Sequence, residues 1–188
     1  MKLELDDIQH YLLTRPNARI AQYDFLTFRN PESGRNWISA LLHTVGNVES
    51  VLKSEDTDMR WVTIAFTYNG LKALGVTEEC LSTFPDPFKQ GMSARAKMLG
   101  DTGENHPDNW QDNITSPDLH AVIILFARDR IERDRCVKEH RKYLVKNPGV
   151  EILSTLLLEA IPPFDYVHEH FGYRDRLTTP VIEGMNVT

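Results

Sequence analysis

The chain has 188 residues, long enough for one α+β domain with a single core and a tail. Its 21 basic and 27 acidic residues give a formal net charge of -6 spread along the chain, which excludes the basic footprint that a nucleic-acid partner requires. The longest apolar run, 121–127, is of strand length and far short of the roughly 20 residues that cross a bilayer, so membrane insertion is excluded as well.

Residues 1–7 alternate charged and apolar side chains where a secretory signal needs a basic start and an unbroken apolar stretch, and the expected compartment is the cytoplasm. Residues 21–28 read as a strand. After Asn30 and Pro31 the period changes, and Trp37, Ile38, Leu41, Leu42 and Val45 fall on one helical stripe. At 61–67, Val62, Ile64 and Phe66 alternate with Thr63, Ala65 and Thr67, the period of a second strand. Residues 68–119 form a long excursion with short helices expected at 71–74 and 92–99 and a loop rich in Gly, Asn, Asp and Pro, a length that inside a compact domain marks a functional or interface insertion. Cys80, in this excursion, and the later Cys136 lie far apart with no histidine at metal-ligand spacing, and both are read as packing residues.

Residues 120–127 are apolar on both faces and fit a central strand. Residues 131–146 read as a polar, charged helix with Ile131, Val137 and Leu144 on one side, stopped by Asn147, Pro148 and Gly149. The series Arg130, Arg133, Arg135 and Lys138 is then a solvated helix face. Residues 151–159 supply the fourth strand, and Pro162 with Pro163 closes the domain, giving a 1–163 domain and a 164–188 tail.

The order βαββαβ is that of a ferredoxin-like α+β fold, a four-stranded antiparallel sheet with two helices on one face. The other face is left bare. Because Val122, Ile124 and Phe126 alternate with Ile123 and Leu125, the central strand is apolar on both sides, and a partner sheet in this or another chain is implied.

The tail carries His168-Glu169-His170-Phe171-Gly172-Tyr173-Arg174-Asp175-Arg176-Leu177, which resembles the Gly-x-x-Asp-Gly signature of the dye-decolourising peroxidases, with Arg176 in place of the second glycine. The resemblance extends upstream through Asp7-Ile8-Gln9, Phe66-Thr67, Gly70-Leu71, Ala73-Leu74-Gly75, Phe84-Pro85, Gly91-Met92, Arg95-Ala96, Leu99-Gly100-Asp101, Pro107 and Trp110, in the family's order and approximate spacing. It implies the dimeric α+β barrel version of the ferredoxin-like fold. It covers the first of the family's two halves, whose sheets pack together with haem held mainly by the second. The family's proximal haem histidine and distal arginine would then lie beyond residue 188.

By the same resemblance, Asp175 is the acid and base that moves a proton between the two oxygens of hydrogen peroxide. Gly172, Tyr173, Arg174, Arg176 and Leu177 would line the haem side of its loop, and a small organic molecule would be the reductant. The partner implied is either a separate haem-ligating half or a second copy of the chain. The alternative is a haem-free, degenerate family member that serves as a dimerising binding module, a reading favoured by Arg176 and by the end of the chain before a ligand segment. Read without the resemblance, Asp175 is an ordinary loop carboxylate bonded to its own backbone.

His168, His170 and Asp175 also permit a two-histidine, one-carboxylate metal site, though the resemblance already accounts for that string. His120 at the start of a strand and His140 on a helix are each open to two readings: a satisfied structural histidine, which is favoured, or an axial haem ligand.

Overall fold

A computed structural model describes residues 3–14, 18–53, 61–110, 114–160, 173 and 182–184. The first element, α1 (His10–Leu13), is a single turn and is followed by β1 (Ile20–Phe28). Asn30 then caps α2 (Pro31–Leu41), its side-chain oxygen accepting the Ser33 N–H at 2.8 Å while Pro31 presets φ for the first turn. The α-helix ends at Leu41 and tightens into a 3-10 turn over Leu42–Thr44. That change of pitch rotates Leu42 off the apolar stripe, so it is exposed instead of packed.

The short helix α3 (Val48–Lys53) precedes β2 (Trp61–Phe66) and packs against α1. Here the amino-terminal segment closes the sheet edge with side chains. Gln9 donates from Nε2 to the Ile64 carbonyl at 2.9 Å and accepts the Ile64 N–H at 3.0 Å, so one carboxamide replaces a neighbouring strand.

The excursion holds α4 (Tyr68–Ala73), α5 (Glu78–Ser82) and α6 (Asp86–Leu99), the last bent at Gly91, where φ is 72°. Helices were expected near α4 and α6. The α5 turn was not foreseen, and it begins where the Thr77 hydroxyl accepts the Cys80 N–H at 3.4 Å. Cys80 on that turn is exposed, against the packing role expected of it, whereas Cys136 is buried as expected.

The remaining elements are β3 (Ala121–Ala127), α7 (Arg130–Lys146) and β4 (Val150–Glu159). The four strands form one antiparallel sheet in the order β2-β3-β1-β4, which is the ferredoxin-like arrangement expected from the sequence. On its helix-covered face Leu26, Trp37, Leu41, Ile123 and Leu125 are almost wholly buried, joined by Phe28, Val62 and Ile64.

The helix α7 meets the sequence expectation in part, with Val137 and Leu144 packed against the core and Ile131 turned away. Ile131 is 83% exposed, and the inward positions are Glu132, Cys136 and His140, at a spacing of four. The reason is polar. Glu132 folds back so that Oε2 accepts the Arg128 N–H at 2.8 Å, while its own N–H is donated to the Asp129 carboxylate at 2.8 Å, and this capping sets the helix rotation. Nor is the basic series simply solvated: Arg130 makes a double hydrogen bond to Glu159 of β4, at 3.1 and 3.0 Å.

Among the described residues no helix is long and apolar enough to cross a membrane.

Candidate functional site

The tail residues singled out from the sequence lie mostly outside the described residues: Gly172, Arg174, Asp175, Arg176 and Leu177, and with them His168, His170 and the Pro162–Pro163 boundary. Tyr173 is described, and its side chain is 77% exposed. Among the described residues no group of three or more His, Cys, Asp or Glu side chains is placed to hold a metal ion.

The histidines decide whether the described residues could ligate haem iron, because an axial imidazole needs a nitrogen lone pair facing open space. His120 does not meet that condition. Its Nδ1 accepts the Phe28 N–H at 2.9 Å, so in the neutral ring the proton is on Nε2, and burial holds its pKa below the ordinary imidazole value. His140 is buried beneath α7 with its ring edge toward Trp37, at 6.0 Å between centroids, and with Nδ1 turned to Asp24. His120 is therefore a satisfied structural histidine, as the favoured reading had it, whereas His140 is buried with neither ring nitrogen in a hydrogen bond.

The other three described histidines are engaged too. His10 is buried and donates from Nε2 to the Val62 carbonyl at 3.2 Å, and burial lowers its pKa. His43 pairs with the Tyr143 hydroxyl at 3.3 Å, and His106 Nδ1 accepts the Asp108 N–H at the same distance. The described residues thus do not fit the role of iron ligand, and a haem carried by this protein would need its ligand from elsewhere.

A site that the sequence reading missed lies under α7. Asp24, at the middle of the central strand β1, is completely buried. Its Oδ1 accepts hydrogen bonds from Gln22 Nε2 at 3.1 Å and from Thr155 Oγ1 at 2.7 Å. Its Oδ2 faces two groups of α7 at more than hydrogen-bond distance, His140 Nδ1 at 3.7 Å and the Arg141 guanidinium, whose Nη2 at 3.6 Å is close enough for charge attraction. Burial by itself pushes the Asp24 carboxyl upward, but His140, Thr155, Gln22 and Arg141 together outweigh it and hold the carboxyl below its usual range. The signal was present in the sequence. Within the run from Ile20 to Phe28, Gln22 and Asp24 share a period-two face with Leu26, which buries them once that face is the covered one.

The opposite face of the sheet is built by register. Tyr23 stands across from Ile124 on one side and Leu156 on the other, and Phe25 from Val122, so these side chains share one surface. It is not wholly bare, as the sequence reading had it: the Tyr11 ring lies 5.0 Å from that of Phe126, and Ile124 and Phe126 are buried. Leu158, on the same surface, is 42% exposed.

Comparison with known proteins places these features. The family model described as the DyP dimeric alpha+beta barrel domain matches residues 7–154. "Peroxidase 2" of Mycetinis scorodonius is 27% identical over 187 residues, covering 98% of this chain and 35% of its own length. The structure of an ancestral D-type dye-decolourising peroxidase superposes on the whole chain with a TM-score of 0.84 at 27% identity, using 41% of that protein. A dye-decolourising peroxidase whose heme pocket was engineered for asymmetric sulfoxidation has the same fold, with a TM-score of 0.84 at 23% identity over 99% of this chain and 40% of its own. The chain thus spans about a third of the length of the curated relatives it matches. From the family-model match and the shared sheet topology, the chain belongs to the dye-decolourising peroxidase family and corresponds to that family's amino-terminal half.

Proposed function

We propose that the protein supplies the peroxide-side half of a haem-dependent peroxidase, with Asp175 as the group that takes a proton from one oxygen of hydrogen peroxide and returns it to the other. The observation that carries this reading is the reach of the similarity. The match to "Peroxidase 2" covers 98% of the chain, and so includes residues 172–177 as well as the sheet. A carboxylate suits the task because it is a base when ionised and an acid once it has the proton, provided both oxygens are within hydrogen-bond reach. Gly172 would let the loop approach the cofactor closely, while Tyr173, Arg174, Arg176 and Leu177 would flank it.

The bound haem would supply the oxidising chemistry toward a small organic reductant. The iron ligand would come from a second, haem-ligating half, and the sheet face carrying Tyr23, Val122 and Leu156 is the apolar surface to receive it.

The test joins the chain to the remaining length of "Peroxidase 2" and adds haem. A Soret band and peroxide-dependent dye oxidation are expected, with turnover reduced about 10²- to 10⁴-fold in Asp175→Asn. An undiminished mutant would remove Asp175 from the reaction.

Arg176, standing where the family signature has glycine, favours a second reading: a haem-free member that uses the same sheet face to dimerise. Native mass and an absorption spectrum after haem addition distinguish the two, since a colourless dimer fits only this reading.

A further inference from the structure

The sheet has two edge strands, β2 and β4, and they are protected by different means. β4 carries a glutamate near each end, Glu151 bonded twice to Arg29 at 2.9 and 2.7 Å and Glu159 bonded twice to Arg130, so a strand approaching that edge meets ordered ion pairs. β2 has neither a charged residue nor a proline, and its register with β3 runs unbroken from Trp61 to Phe66. Six residues of high β propensity without charge are the composition that adds to a like strand once its edge is open.

What covers the β2 edge is side chain, not strand. The outward backbone groups belong to Val62 and Ile64, two residues apart and so on the same side of the strand. Gln9 binds both groups of Ile64, accepting the N–H at 3.0 Å and donating to the carbonyl at 2.9 Å, and its Oε1 also accepts the Thr63 hydroxyl at 2.6 Å. His10 donates from Nε2 to the Val62 carbonyl at 3.2 Å, with its ring edge-on to that of Trp61 at 4.3 Å between centroids. The backbone of this segment bonds elsewhere: the Ile8 carbonyl accepts the Val48 N–H at 2.9 Å, and the His10 N–H is donated to the Gly46 carbonyl at 3.1 Å. Side chains thus do here what a ladder of backbone bonds does between the strands of the sheet.

We propose that residues 8–10 are a detachable plug, and that the β2 edge beneath it is a pairing surface for the same edge of a second copy of this chain. This inference is independent of the peroxidase reading. The choice of partner follows from complementarity. The Gln9 carboxamide offers Ile64 one donor and one acceptor, the pattern that an antiparallel strand offers at a hydrogen-bonded pair. A two-fold axis beside Ile64 sets that residue opposite itself, where each N–H reaches the carbonyl of the other copy. Both partial charges then meet their opposites, and because β2 has no charged side chain, none is set against its like. While Gln9 is seated, both groups of Ile64 are taken and the edge is closed.

Gln9→Ala in the whole chain tests this, read by native mass and by backbone hydrogen exchange at the Ile64 amide over a concentration series. In the parent protein that amide should be protected at every concentration. In Gln9→Ala it should lose protection in dilute solution and regain it as the concentration rises, in step with a doubling of the mass over that of the parent. Should Gln9→Ala fail to fold, Gln9→Met is the working variant: it keeps the bulk, offers neither group of Ile64 a partner, and should give the same two changes. An Ile64 amide as protected in the dilute variant as in the parent would overturn the plug. A mass that does not rise, or that rises while Ile64 stays unprotected, would overturn the β2 edge as the pairing surface.

Discussion

Gly70 lies where α4 touches the strand entering the sheet. A Cβ built there would sit 1.8 Å from the His120 carbonyl oxygen, and that oxygen accepts the Thr67 N–H at 3.0 Å, so it has no freedom to turn aside. Gly70→Ala should therefore destabilise the protein by about 3 kcal/mol, the upper end of overpacking costs, measured as a lower urea midpoint at unchanged m-value. His10 carries a prediction of a different kind. It is buried as the neutral ring and its pKa is lowered by that burial, so below the unfolded value of about 6.5 the unfolded chain binds the proton first and stability declines until the folded value is reached. Urea midpoints at pH 7.5 and 5.5 should differ in the parent protein and differ less in His10→Gln. His120, also lowered by burial, contributes in the same direction and would remain in that variant.

At the level of elements, α7 shows how capping can override an apolar period. Ile131, Val137 and Leu144 share one side by spacing, and Val137 and Leu144 do pack against the core, but Ile131 is exposed and the buried positions are Glu132, Cys136 and His140. The Asp129 carboxylate accepting the Glu132 N–H and the Glu132 carboxylate accepting the Arg128 N–H secure its first turn, and Asp129→Ala should cost about 1 kcal/mol of stability. That loss would be read in thermal unfolding, and it should add to the effect of Gly70→Ala because the two positions share no bonded partner. The helix α2 was legible in advance because its signals agree. Asn30 and Pro31 mark the start, and Trp37, Ile38 and Leu41 are all aliphatic or aromatic at helical spacing, so no polar group competed for the inward direction.

For the molecule as a whole, the two sheet faces have separate roles. One carries the core and the buried Asp24 cluster, and the other presents Tyr23, Phe25, Val122 and Leu156 in register, partly covered at Phe126 by Tyr11. The peroxidase reading places the haem-ligating half against this second face. Its substitution Asp175→Asn should lower turnover by that same factor without changing the mass of the complex, whereas a change on the sheet face should weaken association first.

Strand and helix order, the βαββαβ topology and family membership were all readable from the chain. They rest on periodicity, turn residues and short motifs, signals carried by residues close together in sequence. The Asp24 cluster, the inward face of α7 and the near-contact of Gly70 with His120 were not. Each joins residues far apart in the chain, Asp24 with Thr155 across 131 positions among them. A lone aspartate in a strand looks the same whether its face meets water or a helix. Folding supplies the difference, because only the docked α7 removes the solvent and makes that carboxylate's partners matter.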